Sequence, residues 1–173
     1  MFWTRKHIRY AWPVLGLLIG VVVGGLCPYT PLHASATDRY EKFAMCTGYV
    51  DNGVEAVYFL DFLTGDLKAT ALAKQPPYNF NAFYQRNVFK DLQVDASMKP
   101  EFLIVTGEAD LRRIGGRQRL SQAVVYVAEV TTGRCAAYAI PWDAQRHAAG
   151  QMARGELVLI AVTQFRTVAV REM

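Results

Sequence analysis

The sequence is poor in the residues that build metal sites and most nucleophilic sites. Its 173 residues include three histidines and three cysteines, and no His-x-Glu, His-Glu-x-x-His or Cys-x-x-Cys spacing occurs. Zinc sites draw their ligands from such spacings, and His7, His33 and His147 stand far apart in the chain. Neither a Gly-x-Ser-x-Gly elbow nor a Walker loop is present. We therefore predict no metal site, no cofactor and no catalytic residue.

Charge is missing from one long stretch near the amino terminus. Residues 11–27 are strongly apolar, and 17 residues are the short end of what spans a bilayer as a helix. Arg5, Lys6 and Arg9 precede this stretch, which favours a cytoplasmic amino terminus and export of the remainder. The prediction is a cytoplasmic basic tail at 1–10, a transmembrane signal-anchor at 11–27, a linker at 28–38, and a periplasmic or extracellular domain at 39–173. The alternative is a signal peptide cleaved after Ala34-Ser35-Ala36.

Three glycines recur every fourth residue within the apolar segment. Gly16, Gly20 and Gly24 fall along one face of a helix, where small residues let a second helix approach closely. This pattern predicts helix–helix packing and self-association in the membrane. The alternative interpretation is that membrane and signal segments simply contain glycine.

Basic residues are too few outside the tail to indicate a nucleic-acid partner. The net charge is +4, and residues 1–36 contribute three basic residues without an acid, so 16 basic residues face 15 acids in the rest. Nucleic-acid binders present a basic face or stripe. One basic group surrounds Gly115-Gly116 and consists of Arg112, Arg113, Arg117 and Arg119. We interpret it as a solvated loop, with contact to an anion or a lipid headgroup as the alternative.

The cysteines do not form a disulfide framework. Cys27 lies at the end of the apolar segment, which leaves Cys46 and Cys135. These two could pair in an oxidising compartment, or Cys46 could be a free buried thiol within a strand.

The exported part predicts an all-β fold. Apolar, β-branched and aromatic residues cluster between turn signals. The predicted strands are 42–48, 55–62, 67–73, 101–107, 123–130, 134–140, 156–163 and 166–170. One short helix is predicted at 81–94, where Tyr84, Val88 and Leu92 stand four apart and Asn79 or Asn81 offers a cap.

The strand-rich part repeats itself. Residues 56–72 align without gaps to residues 124–140, with six of 17 positions identical. Together with a shorter match of 42–51 to 101–110, this predicts two units, 42–73 and 101–140, and a partial third at 156–170. Both units contain an acid followed by Thr-Gly, which indicates a hairpin turn with Gly65 or Gly133 in the left-handed conformation.

The run Tyr-Phe-Leu-Asp-Phe-Leu-Thr-Gly-Asp-Leu at 58–67 is similar to β-propeller repeats of the quinoprotein type. The tryptophan that closes such repeats is absent, with Ala71 and Ala139 in that region, so no quinone binding is implied. The resemblance implies propeller-like blades, which three chains could close into a six-bladed ring. The competing fold is a closed sandwich or barrel of antiparallel strands.

The whole chain also resembles a group of short, N-terminally anchored planctomycete envelope proteins. The likeness lies in Thr37-Asp38-Arg39, in the run at 58–67 and in residues 124–141. It implies a location in the cell envelope and carries no activity with it.

These observations favour a non-enzymatic, membrane-anchored envelope protein whose β domain has a structural or protein-interaction role. The partner expected is a second copy or another envelope protein. One alternative is a module that binds glycans or peptidoglycan fragments through the aromatic segment 78–84, because rings give contact area and amides give directional hydrogen bonds. Its predicted surface residues are Tyr78, Phe80, Tyr84 and Arg86. The other is a hydrolase with a carboxylate pair, such as Glu108 with Asp110 or Asp51 with Glu55.

Overall fold

The structure is a computed structural model that describes residues 15–17, 20, 37–95, 97, 99–111 and 119–166. The chain divides into two compact units, Met1–His33 and Ala34–Met173. In the first unit, Leu15, Gly16, Leu17 and Gly20 are helical. Within the described residues, no helix has both the length and the hydropathy needed to cross a bilayer. Most of the predicted anchor at 11–27, including Gly24, lies outside the described residues.

The second unit is built mainly of strands, which confirms the all-β prediction. Its strands are β1 Thr37–Tyr40, β2 Phe43–Asp51, β3 Val54–Asp61, β4 Asp66–Leu72, β5 Phe80–Asn87, β6 Phe102–Glu108, β7 Leu120–Glu129, β8 Arg134–Pro141, β9 Ala153–Glu156 and β10 Val158–Gln164. Two five-residue helices accompany them, α1 Val88–Leu92 and α2 Ala144–Ala148.

The strands form two sheets. The six-stranded sheet has the order β1-β2-β3-β4-β5-β9, and the four-stranded sheet has the order β10-β8-β7-β6. All pairings are antiparallel except that of β5 with β9, which is parallel. The parallel pair corrects the expectation of purely antiparallel strands. It arises because the chain leaves β8 through α2 and returns alongside β5 in the same direction.

One segment joins the two sheets at a corner. β9 pairs with β5, and after the single residue Leu157 the chain continues as β10, which pairs with β8. Leu157 is fully buried, its amide donates to the Gln85 carbonyl, and its own carbonyl accepts from Arg86. Strands that change sheets at a bend are a known way to make such corners. The segment predicted as one strand at 156–163 is therefore split between sheets.

Alternating burial along the strands builds one core between the sheets. In β3 every second residue from Val54 to Leu60 is buried, because successive side chains of a strand point to opposite faces and one face of this sheet is exposed to solvent. The largest fully buried side chains come from both sheets, from α1 and from the corner, and include Tyr58, Leu60, Leu67, Leu92, Phe102, Tyr138, Ile140 and Leu157.

Small residues allow the sheets to approach at β2. A Cβ atom added to Gly48 would lie 3.0 Å from both the Ala123 Cβ and the Thr106 Cγ2 atoms. The Thr106 hydroxyl donates to the carbonyl of Thr47. A larger residue at position 48 would therefore separate β2 from β6 and β7.

The two predicted hairpin turns are confirmed. Gly65 has φ +71° and Gly133 has φ +69°, both in the left-handed region. Asp61 accepts hydrogen bonds from the amides of Leu63 and Thr64, while Glu129 accepts from the amides of Thr131 and Thr132 and from the Thr132 hydroxyl. The acids are thus turn-forming groups, as their positions predicted.

The helix prediction at 81–94 is wrong for its first half. Residues Phe80–Asn87 form β5, and only Val88–Leu92 is helical. Tyr84 faces the core from strand β5, whereas Val88 and Leu92 share one face of helix α1. The three residues stand four apart, but only Val88 and Leu92 do so because of a helix. Asn87, and neither Asn79 nor Asn81, occupies the N-cap position. The second helix, α2, was not predicted.

The two cysteines of the second unit do not form the disulfide bond that was one of the alternatives. Cys46 is buried, Cys135 is half-buried, and both are free thiols. Burial raises the pKa of Cys46 to about 12.

β1 lies partly within the predicted linker 28–38, so ordered structure begins earlier than the sequence indicated. Of the last predicted strand, 166–170, only Arg166 lies within the described residues, and it is not in a strand.

Candidate functional site

The outer face of the six-stranded sheet carries exposed aromatic side chains. Phe43, on β2, is 37% exposed and stacks on Phe59 of β3 with 5.2 Å between ring centroids. Phe83, on β5, is 39% exposed. These residues point outward because they alternate with core residues such as Tyr58 and Tyr84. An apolar surface of this kind often marks an interaction site.

A groove of about 770 Å³ lies on this face, and we call it the sheet groove. Its lining combines apolar and polar side chains from four neighbouring strands, namely Val57, Phe59, Lys68, Thr70, Phe83, Gln85, Arg154 and Glu156. Register places these residues side by side, since Lys68 is opposite Phe59 and Gln85, and Arg154 is opposite Phe83. The Arg154 guanidinium lies 5.8 Å from the centroid of the Phe83 ring. Such a cation–aromatic contact holds both side chains at the edge of the groove.

A second groove, of about 800 Å³, lies beside β9, and we call it the edge groove. It is lined by β9, by α2 and by the residues around the end of β8, and its charged residues are Arg119, Asp143, Arg146, Arg154 and Glu156. Tyr84, Arg154, Gly155 and Glu156 line both grooves. The two grooves therefore lie next to each other and share these residues of β5 and β9.

The side chain of Tyr84 lines both grooves from the core side of the sheet. A Cβ atom on Gly155 would lie 3.4 Å from the Tyr84 ring, so glycine keeps the backbone of β9 close to it. Burial raises the pKa of the Tyr84 hydroxyl, the positive charge of Arg146 opposes this rise, and Asp143 adds to it. Both charges therefore act on this hydroxyl, which stays protonated and able to donate a hydrogen bond near neutral pH.

The structure separates the four residues predicted as a ligand surface. Tyr78 and Phe80 are 71% and 48% exposed, and neither lines the sheet groove or the edge groove. Tyr84 is 7% exposed and belongs to the core. Arg86 forms a bidentate ion pair with Asp91, at 2.6 and 2.9 Å, and donates to the Leu157 carbonyl. Residues 80–84 of the predicted segment thus belong to β5, where Phe83 lines the sheet groove from the exposed face and Tyr84 from the core side.

Sequence reasoning missed Phe59, Phe83 and Arg154 as a group. They come from three strands and meet only through the register of β3, β4, β5 and β9. Residues 80–87 show no strict alternation of apolar and polar residues, and the spacing of Tyr84, Val88 and Leu92 indicated a helix instead.

One of the four carboxylates named for the hydrolase hypothesis, Asp51, has structural partners. Asp51 accepts from the indole of Trp142 and from the amide of Asn52. Two acids, Asp143 and Glu156, line the edge groove, and Asp143 accepts from the amides of Gln145 and Arg146 as the cap of α2. Among the described residues, no group of three or more histidine, cysteine or acidic side chains could hold a metal ion.

The comparisons with known proteins give no relative. No protein family, no curated protein and no solved structure matches this chain.

Proposed function

We propose that this chain is a non-enzymatic protein of the cell envelope whose β domain binds glycans in the sheet groove. The observation that supports this most directly is the exposed Phe83 ring, flanked by Arg154, beside Phe59, Lys68, Gln85 and Glu156.

The chemistry of the groove suits a sugar chain. A pyranose ring has an apolar face formed by C–H groups, which stacks on an aromatic ring, and a periphery of hydroxyl groups. In the sheet groove, Phe59 and Phe83 offer the rings, while Lys68, Gln85 and Glu156 offer donors and acceptors for those hydroxyls. A purely apolar protein partner would leave these polar side chains unpaired.

Binding of chitohexaose to the full chain in lipid nanodiscs tests the proposal. Isothermal titration should give saturable binding, and Phe83→Ala should weaken it about tenfold, which corresponds to about 1.4 kcal/mol for a lost stacking partner. Phe80→Ala is the matched control, because it removes an exposed aromatic ring from the same strand outside the groove. Absence of binding to both chitohexaose and an acidic β-1,4 glycan of the same length, or equal losses in both variants, would refute the proposal.

Anchorage at the membrane is the second part of the proposal. Residues 11–27 would span the bilayer with the basic tail in the cytoplasm, and residues 39–173 would lie in the periplasm or outside the cell. Added protease should degrade the domain in cells whose outer barrier has been opened. In intact cells, the protease should spare a periplasmic domain and degrade an extracellular one. Recovery of the protein in the cytosolic fraction would refute the anchor.

Self-association is the third part, and the glycine face supports it. Among the described residues, a Cβ atom added to Gly16 or Gly20 would meet no atom within 4 Å, so a second helix could approach at these two positions. We expect cross-linked dimers or larger species in membranes, lost when Gly16, Gly20 and Gly24 are replaced by leucine. Gly25→Leu is the control. It should leave the cross-links intact, because residue 25 lies outside the face formed by Gly16, Gly20 and Gly24. A monomer in every variant would remove this part of the proposal, including a ring of several chains.

A further inference from the structure

Positive charge is concentrated where the sheet groove meets the edge groove. Arg119 and Arg146 line the edge groove, and Arg154 lines both. Among the described residues, the two ion pairs are Arg39 with Glu101 and Arg86 with Asp91, so neither involves these three arginines. Three arginines thus line the edge groove, none of them within salt-bridge distance of a carboxylate of the described residues.

The two acids of the edge groove, Asp143 and Glu156, offset only part of this charge, since three arginines and two acids leave a net charge of +1. Asp143 is occupied by the amides of Gln145 and Arg146 at 3.0 Å each. Glu156 acts on Arg86, whose pKa is raised first by the hydrogen bond to Asp91 and also by the negative charge of Glu156. The arginines still outnumber the acids, so an anion that enters the edge groove meets an excess of positive charge.

We infer that the ligand of the sheet groove is an acidic glycan, whose carboxylates bind Arg154, Arg146 and Arg119 while a sugar ring stacks on Phe83. This inference rests on the proposed function and names its ligand class. The guanidinium of Arg154 is 5.8 Å from the Phe83 ring centroid, so a sugar stacked on that ring places its substituents beside Arg154. A longer glycan then extends past Arg154 and Glu156, which line both grooves, toward Arg146 and Arg119 in the edge groove.

The choice of a carboxylate-bearing sugar follows from the donors. Guanidinium groups bind carboxylates through two parallel hydrogen bonds, and a charged hydrogen bond contributes about 1.5–3 kcal/mol before screening by salt. A neutral glycan would leave all three arginines with water alone. Arg119 also belongs to the basic group at 112–119, for which contact with an anion was the alternative interpretation.

The test compares two glycans that share a β-1,4 backbone. The neutral probe is chitohexaose, and the acidic probe is a six-sugar peptidoglycan strand without peptides, which carries a lactyl carboxylate on alternate sugars. We expect the full chain in nanodiscs to bind the acidic probe at least tenfold more tightly at 50 mM salt, with a smaller ratio at 500 mM salt. Arg146→Gln and Arg154→Gln should each reduce the ratio, whereas Lys90→Gln, which removes an exposed charge outside both grooves, should not.

The outcomes separate the inference from the proposed function. Equal affinity for both glycans would overturn the inference and leave glycan binding intact. Failure to bind either glycan would overturn both. Polyglutamate, a polyanion without sugar rings, should bind at least tenfold more weakly than the acidic glycan, and equal binding would overturn the inference in favour of charge alone. Circular dichroism identifies any variant that fails to fold, and for such a variant Arg→Lys replaces Arg→Gln, with the expectation of an intermediate ratio because lysine lacks the bidentate geometry.

Discussion

The indole nitrogen of Trp142 donates a hydrogen bond of 3.0 Å to Oδ2 of Asp51. Trp142 directly follows β8 of the four-stranded sheet, and Asp51 ends β2 of the six-stranded sheet. The contact therefore ties the two sheets together at one end of the core. Trp142 is 4% exposed and packs against His147, with 4.6 Å between ring centroids.

We predict that Trp142 and Asp51 are energetically coupled. Trp142→Phe removes the donor and Asp51→Ala removes the acceptor, and the hydrogen bond accounts for about 1–2 kcal/mol because its acceptor is charged. Urea unfolding of both single variants and of the double variant gives the coupling energy. Strictly additive losses would show that the hydrogen bond contributes nothing to stability.

Gly65 is predicted to tolerate alanine less well than Gly150. Both residues have positive φ, +71° and +69°, so alanine costs about 1–2 kcal/mol at either position from the backbone alone. At Gly65 the new Cβ would also lie 2.3 Å from the Phe89 ring, whereas at Gly150 it would meet nothing within 4 Å. The free energy of unfolding should fall by at least 1 kcal/mol more in Gly65→Ala. Equal losses of unfolding free energy in the two variants would show that the Phe89 ring moves aside without an energetic cost.

The two turn acids are predicted to differ in their contribution to stability. Glu129 is 2% exposed, and although burial alone would raise its pKa, hydrogen bonds from Thr132 and Thr131 hold that pKa below its ordinary value. Glu129→Gln weakens three charged hydrogen bonds in a buried site and should cost about 2–3 kcal/mol. Asp61→Asn, in the equivalent but more exposed turn, should cost about 1 kcal/mol or less. Urea denaturation of both variants at pH 7 measures the difference, and a reversed order would contradict it.

The stability difference between the wild-type chain and Glu129→Gln should also depend on pH. Because the folded pKa is lowered, this contribution is complete above the unfolded value and disappears as the pH falls through the folded pKa. The two denaturation curves should therefore converge in acid. A difference that persists at pH 2 would show that Glu129 acts through packing rather than charge.

His147 is predicted to make the fold less stable in mild acid. Burial lowers its pKa below the ordinary 6.5, against the opposing effect of the hydrogen bond between Nε2 and the Leu72 carbonyl. Between the two pKa values the unfolded chain binds more protons, so the free energy of unfolding falls as the pH drops through 6.5 and levels off below the folded pKa. Urea unfolding from pH 7.5 to 4.5 should show this extra loss in the wild-type chain and not in His147→Gln. Parallel profiles would contradict it.

The sequence allowed the repeated turns and most strands to be predicted because each depends on local chemistry. The acid, threonine and glycine of residues 61–65 lie within five positions, and the alternation of β3 is complete within one strand. β5 could not be recognised in the same way. Its asparagines and glutamine have low strand propensity, and Tyr84 is four residues from Val88, which imitates a helix.

The groove could not be predicted, because its residues meet only in three dimensions. Phe59, Phe83 and Arg154 are separated by 24 and 71 positions, and no local pattern connects them. The parallel pairing of β5 with β9, which brings Arg154 beside Phe83, depends on the path of the chain through β6, β7, β8 and α2.

The corner at Leu157 has a consequence for how this chain reaches its native state. Newly made β1–β5 can pair in order as they emerge, but the outer edge of β5 waits for residues 153–156, about seventy positions downstream. High contact order slows folding, and an uncovered strand edge recruits other chains in the meantime. Synthesis that stalls near residue 150 would therefore leave the edge of β5 uncovered and prone to pair with other chains, and this edge is covered once Ala153–Glu156 pairs with it.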